Sequence, residues 1–279
     1  MSRIFTPVIH CESKEQTLRN VEILNSLDVH RCFLIGHSLS YRRLISIYED
    51  VKHEYPHFWI GVNFLDLDSE VAVEAAPDGV NAIWLDDLGI DEYADVQERA
   101  SRIYEKKHKD VLLFGGIAFK YQKKVADLVK VGREAIKFCE VPTTSGDGTG
   151  IPANVNKIKM LKNAIGDKPL AIASGVTPDN VHYYMDYVDY YLVATGISDL
   201  FTELNQQKVK QLKEHLLKEK YLVEAPIFAT LSLGLNSKGD PSFELLPSHG
   251  NIKAVDELEE FLSFEKPVIN EIKTGFYVW

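Results

Sequence analysis

Eight short apolar segments alternate with segments of helical period over the first 220 residues of this 279-residue chain. Each apolar segment has the length of a strand, and aliphatic and aromatic residues dominate it. Strands that alternate with helices are typical of repeated βα units and a parallel sheet. The eight segments are residues 6–11, 31–37, 59–65, 80–87, 111–119, 135–142, 170–176 and 190–196.

Eight βα units in a stretch of this length predict an α/β protein with a closed (β/α)8 barrel, the TIM-barrel fold. The strands of such a barrel are apolar because side chains and helices cover both of their faces. An open, doubly wound sheet is the alternative, but residues 8–16 contain no glycine and therefore no G-x-G-x-x-G after the first strand. In the third unit, residues 66–79 leave room for only a short helix.

The pattern changes after Lys220, which divides the chain into a predicted barrel (1–220) and a C-terminal α+β extension (221–279). A hairpin is predicted around residues 237–240, and one short helix over 254–264. A segment of about 60 residues is small for an independent domain. We therefore expect the extension to pack on the barrel or on a second subunit.

Composition excludes several classes of protein. The formal net charge of −10, without a basic patch, argues against a nucleic-acid partner. No apolar run approaches the roughly 18 residues of a membrane span, and the N-terminus lacks the apolar region of a signal peptide. Three widely spaced cysteines are predicted to be free thiols in a reducing compartment, so we expect a cytoplasmic protein without membrane insertion.

Two Ser/Thr-Gly turns follow the last two predicted strands. Ser174-Gly175 ends the seventh strand and Thr195-Gly196 ends the eighth. In TIM barrels the loops at these places often bind phosphate together with a helix N-terminus. We expect the glycines to let the backbone approach an oxyanion, with a helix start at residues 197–199. The alternative is that both turns only terminate strands.

Candidate catalytic side chains stand at the ends of other strands. Asp86 and Asp87 follow the fourth strand, where one carboxylate can act as a general base and where a helix-capping pair is the alternative. Lys120 ends the fifth strand and is a candidate substrate clamp, electrophile or Schiff-base amine. It could equally begin a solvated basic helix, because Lys123 and Lys124 follow it.

His10 and Cys11 adjoin at the end of the first strand, so only one of them can face the barrel interior. An inward His10 is a candidate proton carrier, and His37 has a weaker case for the same role. Cys11 and Glu140 could form an acid–base pair, although Cys11 is more simply a packed small hydrophobe. His10, Asp66, Asp68 and Asp86 lie on separate units and no H-x-x-x-H or H-x-H pattern gathers them, so we predict no required metal and no cofactor.

The stretches 149–181 and 190–198 closely resemble the BtpA family of predicted phosphate-binding TIM-barrel proteins, and more loosely phosphoribosylanthranilate isomerase. The match continues in pieces at residues 8–10, 61–68 and 118–120. The chain departs from the family where Cys11 lacks a following Pro/Gly-rich loop, where Gly116 replaces an Asp and where Tyr121 replaces a His. Residues 141–147 further look like an insertion in the strand-six loop.

The resemblance implies the barrel fold and an anion site at Ser174, Gly175, Thr195 and Gly196. It places His10, Asn63, Asp68 and Lys120 at the ends of strands one, three and five, so Asn63 joins His10, Asp86 and Lys120 as a catalytic candidate. It also places Thr149 and Gly150 in a loop that closes over a ligand. We expect an isomerase, lyase or aldolase for a small phosphorylated sugar or ribotide. A non-catalytic binding or assembly factor is the alternative, because some family members are associated with assembly of a photosynthetic complex.

The extension predicts a homo-oligomer, most simply a dimer. It contains more apolar side chains than 60 residues can cover, and apolar patches of that size are rare on monomers. We expect light scattering to give a dimer for the full chain at micromolar concentration and a monomer for a version that ends at Lys220. A monomeric full chain would contradict the dimer and favour an extension that plugs its own barrel.

Overall fold

The computed structural model describes residues 3–217, 229–235 and 241–247. The chain divides into two compact units, Met1–Glu219 and Lys220–Trp279. In the first unit eight parallel strands close into a barrel, since the last strand pairs with the first, which confirms the predicted TIM-barrel fold. The strands are β1 (Ile4–His10), β2 (Arg31–Ile35), β3 (Trp59–Asn63), β4 (Ala82–Leu85), β5 (Leu112–Gly116), β6 (Val141–Thr144), β7 (Ala171–Ala173) and β8 (Tyr190–Val193).

Seven α-helices in the described residues surround the strands. Five of them begin at a Ser, Asp or Asn whose side chain accepts a backbone N–H of the first turn, which satisfies an otherwise unpaired donor. The short helix predicted in the third unit is present, with six residues. The helices are α1 (Lys14–Ser26), α2 (Tyr41–Glu54), α3 (Ser69–Glu74), α4 (Glu98–Lys106), α5 (Leu128–Ala135), α6 (Val155–Ile165) and α7 (Gln206–Leu217).

Side chains fill the barrel on both sides of its wall. The larger core lies between strands and helices, and a smaller core fills the interior. In the interior the Phe33 ring meets those of Phe114 and Trp84 edge to face, at centroid distances of 5.1 and 5.8 Å. Gly61 of β3 faces Phe33 and leaves room for that ring. The barrel is therefore a packed core whose open end carries the site.

Strand six begins later than the sequence predicts. Residues 135–140, predicted as strand, finish α5 and the turn after it, where the N–H groups of Phe138 and Cys139 donate to the Ala135 carbonyl. A short apolar run of this kind does not by itself distinguish strand from helix. Residues 141–144, predicted as a loop insertion, form β6 itself. Glu140 therefore precedes β6 and lies at the end of the barrel opposite to its predicted place.

The last two units also depart from the prediction. A single 3-10 turn (Val181–Tyr183) replaces the helix predicted after β7. After β8 a 3-10 turn (Thr195–Ile197) leads into a hairpin of β9 (Ser198–Leu200) and β10 (Glu203–Leu204), so the helix start predicted at residues 197–199 is wrong. Polar side chains of α1 hold this hairpin: Gln16 and Asn20 both donate to the Thr202 carbonyl, at 2.5 and 2.8 Å.

The second unit contains a two-stranded antiparallel sheet, β11 (Ala229–Leu235) and β12 (Pro241–Pro247), on either side of the predicted turn. The helix predicted over 254–264 lies outside the described residues. So do the side chains on which the predicted dimer depends. In the residues that the structure describes, no helix combines the length and hydropathy needed to cross a membrane.

Replacement of Gly61 by alanine tests the interior packing. A Cβ there would lie 2.1 Å from Phe33, whose ring is confined by its neighbours, so we expect G61A to lower the free energy of unfolding by about 2 kcal/mol. In the matched control, G148A, the nearest atom is a side-chain carbon of Ile151 at 3.3 Å, which can shift. Urea unfolding followed by circular dichroism measures both. Equal stability of the two variants would contradict the packing described.

Candidate functional site

The C-terminal ends of the strands bring Asn63 and Asp86 together inside the barrel mouth. Both point inward because alternate residues of β3 and β4 face the interior. The Asn63 side-chain amide donates to Asp86 Oδ1 over 3.0 Å. Burial raises the pKa of Asp86 above its ordinary value, against the opposing effects of this hydrogen bond and of Lys120. A partly desolvated carboxylate of this kind is suited to accept a proton.

Asp87, the neighbour of Asp86, points out of the barrel. Its carboxylate forms an ion pair with Arg99 and accepts the Gly89 N–H at 2.8 Å. Arg99 also bridges to Asp68 at 3.2 Å, which ties the loops after β3 and β4 together. Of the two adjacent carboxylates, Asp86 faces the mouth and Asp87 anchors loops.

Lys120 enters the mouth on the loop after β5. The loop is fixed on one side, where the Lys120 N–H donates to Ser145 Oγ at 2.8 Å, and on the other, where the Gln122 amide donates to the Asp86 carbonyl at 2.7 Å. Within it Ala118 has a φ of 43°, a left-handed conformation that few residues other than glycine adopt. The Lys120 charge acts on Asp86 and on both histidines of the mouth, so these groups share one site.

His10 and His37 form an aromatic cluster with Phe201 at the same mouth. The two imidazole rings are 4.8 Å apart, and Phe201, on the hairpin after β8, lies 4.0 Å from His10. Burial lowers the pKa of His10 to about 4, and His37 and Lys120 contribute in the same direction. Burial also lowers the pKa of His37. Both rings are therefore neutral near pH 7.

The tautomer of His10 follows from its hydrogen bond. Nδ1 lies 2.9 Å from the Phe201 carbonyl, which can only accept, so Nδ1 carries the proton. In the neutral ring Nε2 then has a free lone pair. His10 can accept a hydrogen bond or a proton from a ligand through Nε2.

The Cys11 and Glu140 pair considered from the sequence does not exist. Cys11 is buried in the outer core, and burial raises its thiol pKa to about 12. Glu140 stands at the N-terminal end of β6, where its carboxylate accepts the Leu113 N–H at 2.8 Å and pairs with Lys107 at 3.3 Å. The two side chains lie at opposite ends of the barrel wall. In the described residues no cluster of three His, Cys, Asp or Glu has metal-binding geometry.

The two glycine turns and the loop after β6 meet on the opposite side of the mouth. Ser174 Oγ accepts the Gly150 N–H at 2.9 Å and donates to the Gly148 carbonyl at 3.0 Å. A Cβ on Gly150 would stand 3.8 Å from Thr195 Oγ1. The turns predicted to bind phosphate are thus in contact with the loop predicted to close over it.

The glycines of these turns are needed for a reason that the sequence did not reveal. A Cβ on Gly175 would lie 2.2 Å from the Ile151 carbonyl, and one on Gly196 would lie 1.9 Å from the Val176 carbonyl. Gly175 also has a left-handed φ of 72°. Neighbouring backbone, rather than open space, fills the positions of the missing side chains. Gly116 is needed for the same reason, because a Cβ there would lie 2.1 Å from the Asp86 carbonyl oxygen.

Two residues not selected from the sequence position the site. Lys157, on α6, is largely buried, and its ammonium donates to the carbonyls of Ala118 and Ser145. Burial lowers its pKa to about 8. Tyr121 reaches from the β5 loop to Thr149, with 3.3 Å between its hydroxyl and both the N–H and the hydroxyl of Thr149. Lys157 belongs to an ordinary amphipathic helix pattern, which gave no signal of this role.

A cleft of about 690 Å³ adjoins the mouth, between the loops that follow β4 and β5. Asp86 and Lys120 are at its inner end, and Tyr93 and Tyr121 are among its walls. Pockets of a few hundred Å³ are the size that binds small molecules. The mouth and the cleft together offer an acid–base group, a cation and space for a ligand.

Comparison with known proteins gives a fold but no family. No protein-family model and no curated protein matches the chain. Among solved structures, phosphoribosyl anthranilate isomerase from Thermus thermophilus is 16% identical, with a TM-score of 0.51 over 77% of this chain and 98% of that one. A geranylgeranylglyceryl phosphate synthase from Thermoplasma acidophilum is 12% identical, with a TM-score of 0.55 over 77% and 93%. At these identities the likeness shows a TIM-barrel fold.

The low pKa of His10 predicts a pH-dependent stability. Between pH 6.5, the ordinary histidine pKa, and about pH 4, the unfolded chain binds a proton at His10 that the folded chain does not. The free energy of unfolding therefore falls as pH decreases through this window, by about 3 kcal/mol from His10 in total. We expect H10Q to remove this part of the pH dependence in urea unfolding measured from pH 7 to pH 4. Parallel pH profiles for wild type and H10Q would contradict it.

Proposed function

We propose that this chain is a TIM-barrel enzyme of the isomerase, lyase or aldolase type, which acts on a small phosphorylated sugar or ribotide. The observation that carries the proposal is the convergence of Asp86, Lys120 and His10 at one mouth. Had these side chains pointed to different places, a purely binding role would be favoured. Isomerisation and carbon–carbon cleavage of sugar phosphates both need a proton moved near an oxygen that gains charge.

Each group has a role in this proposal that its surroundings support. Asp86 takes the proton, because burial favours its protonated form and Asn63 orients it. Lys120 is the cation that stabilises a developing oxyanion. His10 accepts a ligand hydroxyl through Nε2 or passes a proton, with His37 beside it. The proposed chemistry requires neither a metal nor a cofactor.

The phosphate is proposed to bind at Ser174, Gly175, Thr195 and Gly196, with Thr149 and Gly150 closing over it. The contact between Ser174 and the 148–150 backbone supports a common site. No helix begins directly after β8, so the binding energy comes from hydroxyls and turn N–H groups rather than from a helix terminus. Three solved structures of similar fold bear names with phosphorylated compounds: the isomerase, the synthase bound to sn-glycerol-1-phosphate, and a 2-dehydro-3-deoxyphosphogluconate aldolase of 13% identity and TM-score 0.53.

A second function, that of a non-catalytic BtpA-like binding or assembly factor, has one observation in its favour. Large apolar side chains are exposed around the mouth, where a partner surface could cover them. These are Tyr121, Ile151, Leu200 and Phe201, with exposed fractions of 79, 51, 68 and 49%. The proposal also includes membership of the BtpA family and a cytoplasmic location. It further includes a homodimer and the division of the chain into a barrel and an extension that functions with it.

Binding and proton exchange together test the enzyme. We expect isothermal titration to detect binding of some members of a panel of sugar phosphates and ribotides, and no binding of the unphosphorylated sugars. The variants S174A and T195V each lose a hydroxyl and should weaken binding about tenfold. D86N should bind within about threefold of wild type, yet lose at least about 100-fold in the rate at which a ligand C–H exchanges with deuterium in D₂O.

The outcomes separate the two functions. Binding without C–H exchange in wild type would leave the binding factor as the better description. If no phosphorylated ligand binds, or if S174A and T195V bind as tightly as wild type, the phosphate site is wrong.

A further inference from the structure

The cleft between the β4 and β5 loops is lined by four carboxylates and four cationic side chains. The two sets differ in whether they have hydrogen-bond or ion-pair partners within the protein. Each carboxylate has a protein donor. Asp86 accepts from Asn63, and Asp87 pairs with Arg99. Asp91 accepts the N–H of Tyr93, and Glu92 accepts two N–H groups at the end of the β5α5 connection, just before α5. The acidic side chains therefore serve the protein's own backbone and neighbours.

Three of the four cationic side chains form no ion pair with a described carboxylate. Among the described residues, no carboxylate oxygen lies within 4.0 Å of the ammonium groups of Lys120, Lys123 or Lys124. The Lys120 ammonium lies 5.5 Å from the centre of the Phe119 ring, and the Lys123 ammonium lies 5.0 Å from that of the Tyr93 ring, so each has an aromatic face nearby. The fourth cation, Arg99, is committed to Asp87 and Asp68. The formal charges of the lining therefore balance, but within the described residues three ammonium groups form no ion pair and are available to an anionic ligand.

The cleft lies close enough to the glycine turns for one small molecule to reach both. Tyr121 is a wall of the cleft, and its hydroxyl is 3.3 Å from the Thr149 nitrogen. The next backbone nitrogen, of Gly150, is 2.9 Å from Ser174 Oγ. Since neighbouring backbone nitrogens are less than about 4 Å apart, the Tyr121 and Ser174 hydroxyls lie within about 10 Å of each other. A five- or six-carbon chain can span this distance between the Ser174 turn and the Tyr121 wall of the cleft.

We propose that the cleft binds a second acidic group of the ligand through Lys123 and Lys124, with Lys120 at its inner end, so that the substrate carries a phosphate at one end and an acidic group at the other. The proposal rests on the proposed function, because it assumes the phosphate site at Ser174 and Thr195. An ammonium group recognises an anion as a point charge with three donors, which suits a carboxylate or a phosphate alike. The substrate class is therefore a phosphorylated sugar acid or a bisphosphate, rather than a neutral sugar monophosphate.

Matched ligand pairs test this directly on the full chain. 6-Phosphogluconate and glucitol 6-phosphate differ only in a terminal carboxylate, and fructose 1,6-bisphosphate and fructose 6-phosphate differ only in a second phosphate. We expect isothermal titration to show the doubly acidic member of at least one pair binding about tenfold more tightly. A difference in affinity within the first pair identifies the second group as a carboxylate, and a difference within the other pair identifies it as a phosphate.

Variants assign the preference to the cleft. K123M and K124M should remove most of the preference for the doubly acidic ligand and leave the affinity for its partner within about twofold. K109M makes the same change of charge at an exposed lysine before β5, at the other end of the strand, and should leave both affinities unchanged. Equal binding within both pairs by wild type, or a preference that survives K123M and K124M, overturns the proposal.

The same measurements distinguish this failure from that of the proposed function. If T195V weakens both members of a pair equally while wild type does not discriminate between them, the phosphate site stands and the second subsite is wrong. If neither member binds to wild type, the phosphate site has failed and the second subsite fails with it.

Discussion

The closed barrel imposes one constraint from which the site follows: every second side chain of every strand must point into a space that the strands alone can fill. Below the mouth, large rings occupy that space, and Gly61 is the small residue that makes room for Phe33. At the last inward position of each strand the barrel opens, and a polar side chain is no longer buried on all sides. His10, Asn63 and Asp86 occupy three of these positions. The alternation of a β-strand, together with closure, thus brings residues distant in sequence to one place.

Electrostatics at this mouth depend on burial more than on pairing. Asp86 has an amide rather than a cation as its hydrogen-bond partner, so burial dominates and its proton affinity rises. The two histidines lie beside each other and near Lys120, and burial keeps both rings uncharged. The Lys120 ammonium is therefore the cation of this centre, and Asp86 is its acidic group. Titratable groups whose pKa values shift in opposite directions, within the electrostatic field of one cation, are common in proton-transfer sites.

Much of the fold could be predicted from sequence because a (β/α)8 chain repeats one pattern, and the strand ends locate the mouth. The same alternation predicted that one of Asp86 and Asp87, and one of His10 and Cys11, faces the interior. In the structure Asp86 and His10 do so, while Cys11 lies in the outer core. One error arose because a short apolar run can form either a strand or the end of a helix. Residues 135–140 were predicted as a strand but form the end of α5 and the turn after it, so the prediction placed Glu140 at the wrong end of the barrel. The helix predicted at 197–199 failed for a tertiary reason, since Gln16 and Asn20 of α1 stabilise a hairpin there. Lys157 could not have been found, because its partners are carbonyls of loops 12 and 39 residues away.

The hairpin after β8 has a consequence for the order in which the molecule assembles. It is fixed by hydrogen bonds from Gln16 and Asn20 of α1 to Thr202, which lies 186 and 182 positions later in the chain. Its Phe201 carbonyl completes the hydrogen bond of His10 across 191 positions. Contacts of such long sequence separation form late, because loop closure must precede them. The first strand is synthesised earliest. The hydrogen bond that fixes the tautomer of its His10 forms only when the eighth unit has joined it. The native hydrogen bonds of the site therefore require closure of the entire ring.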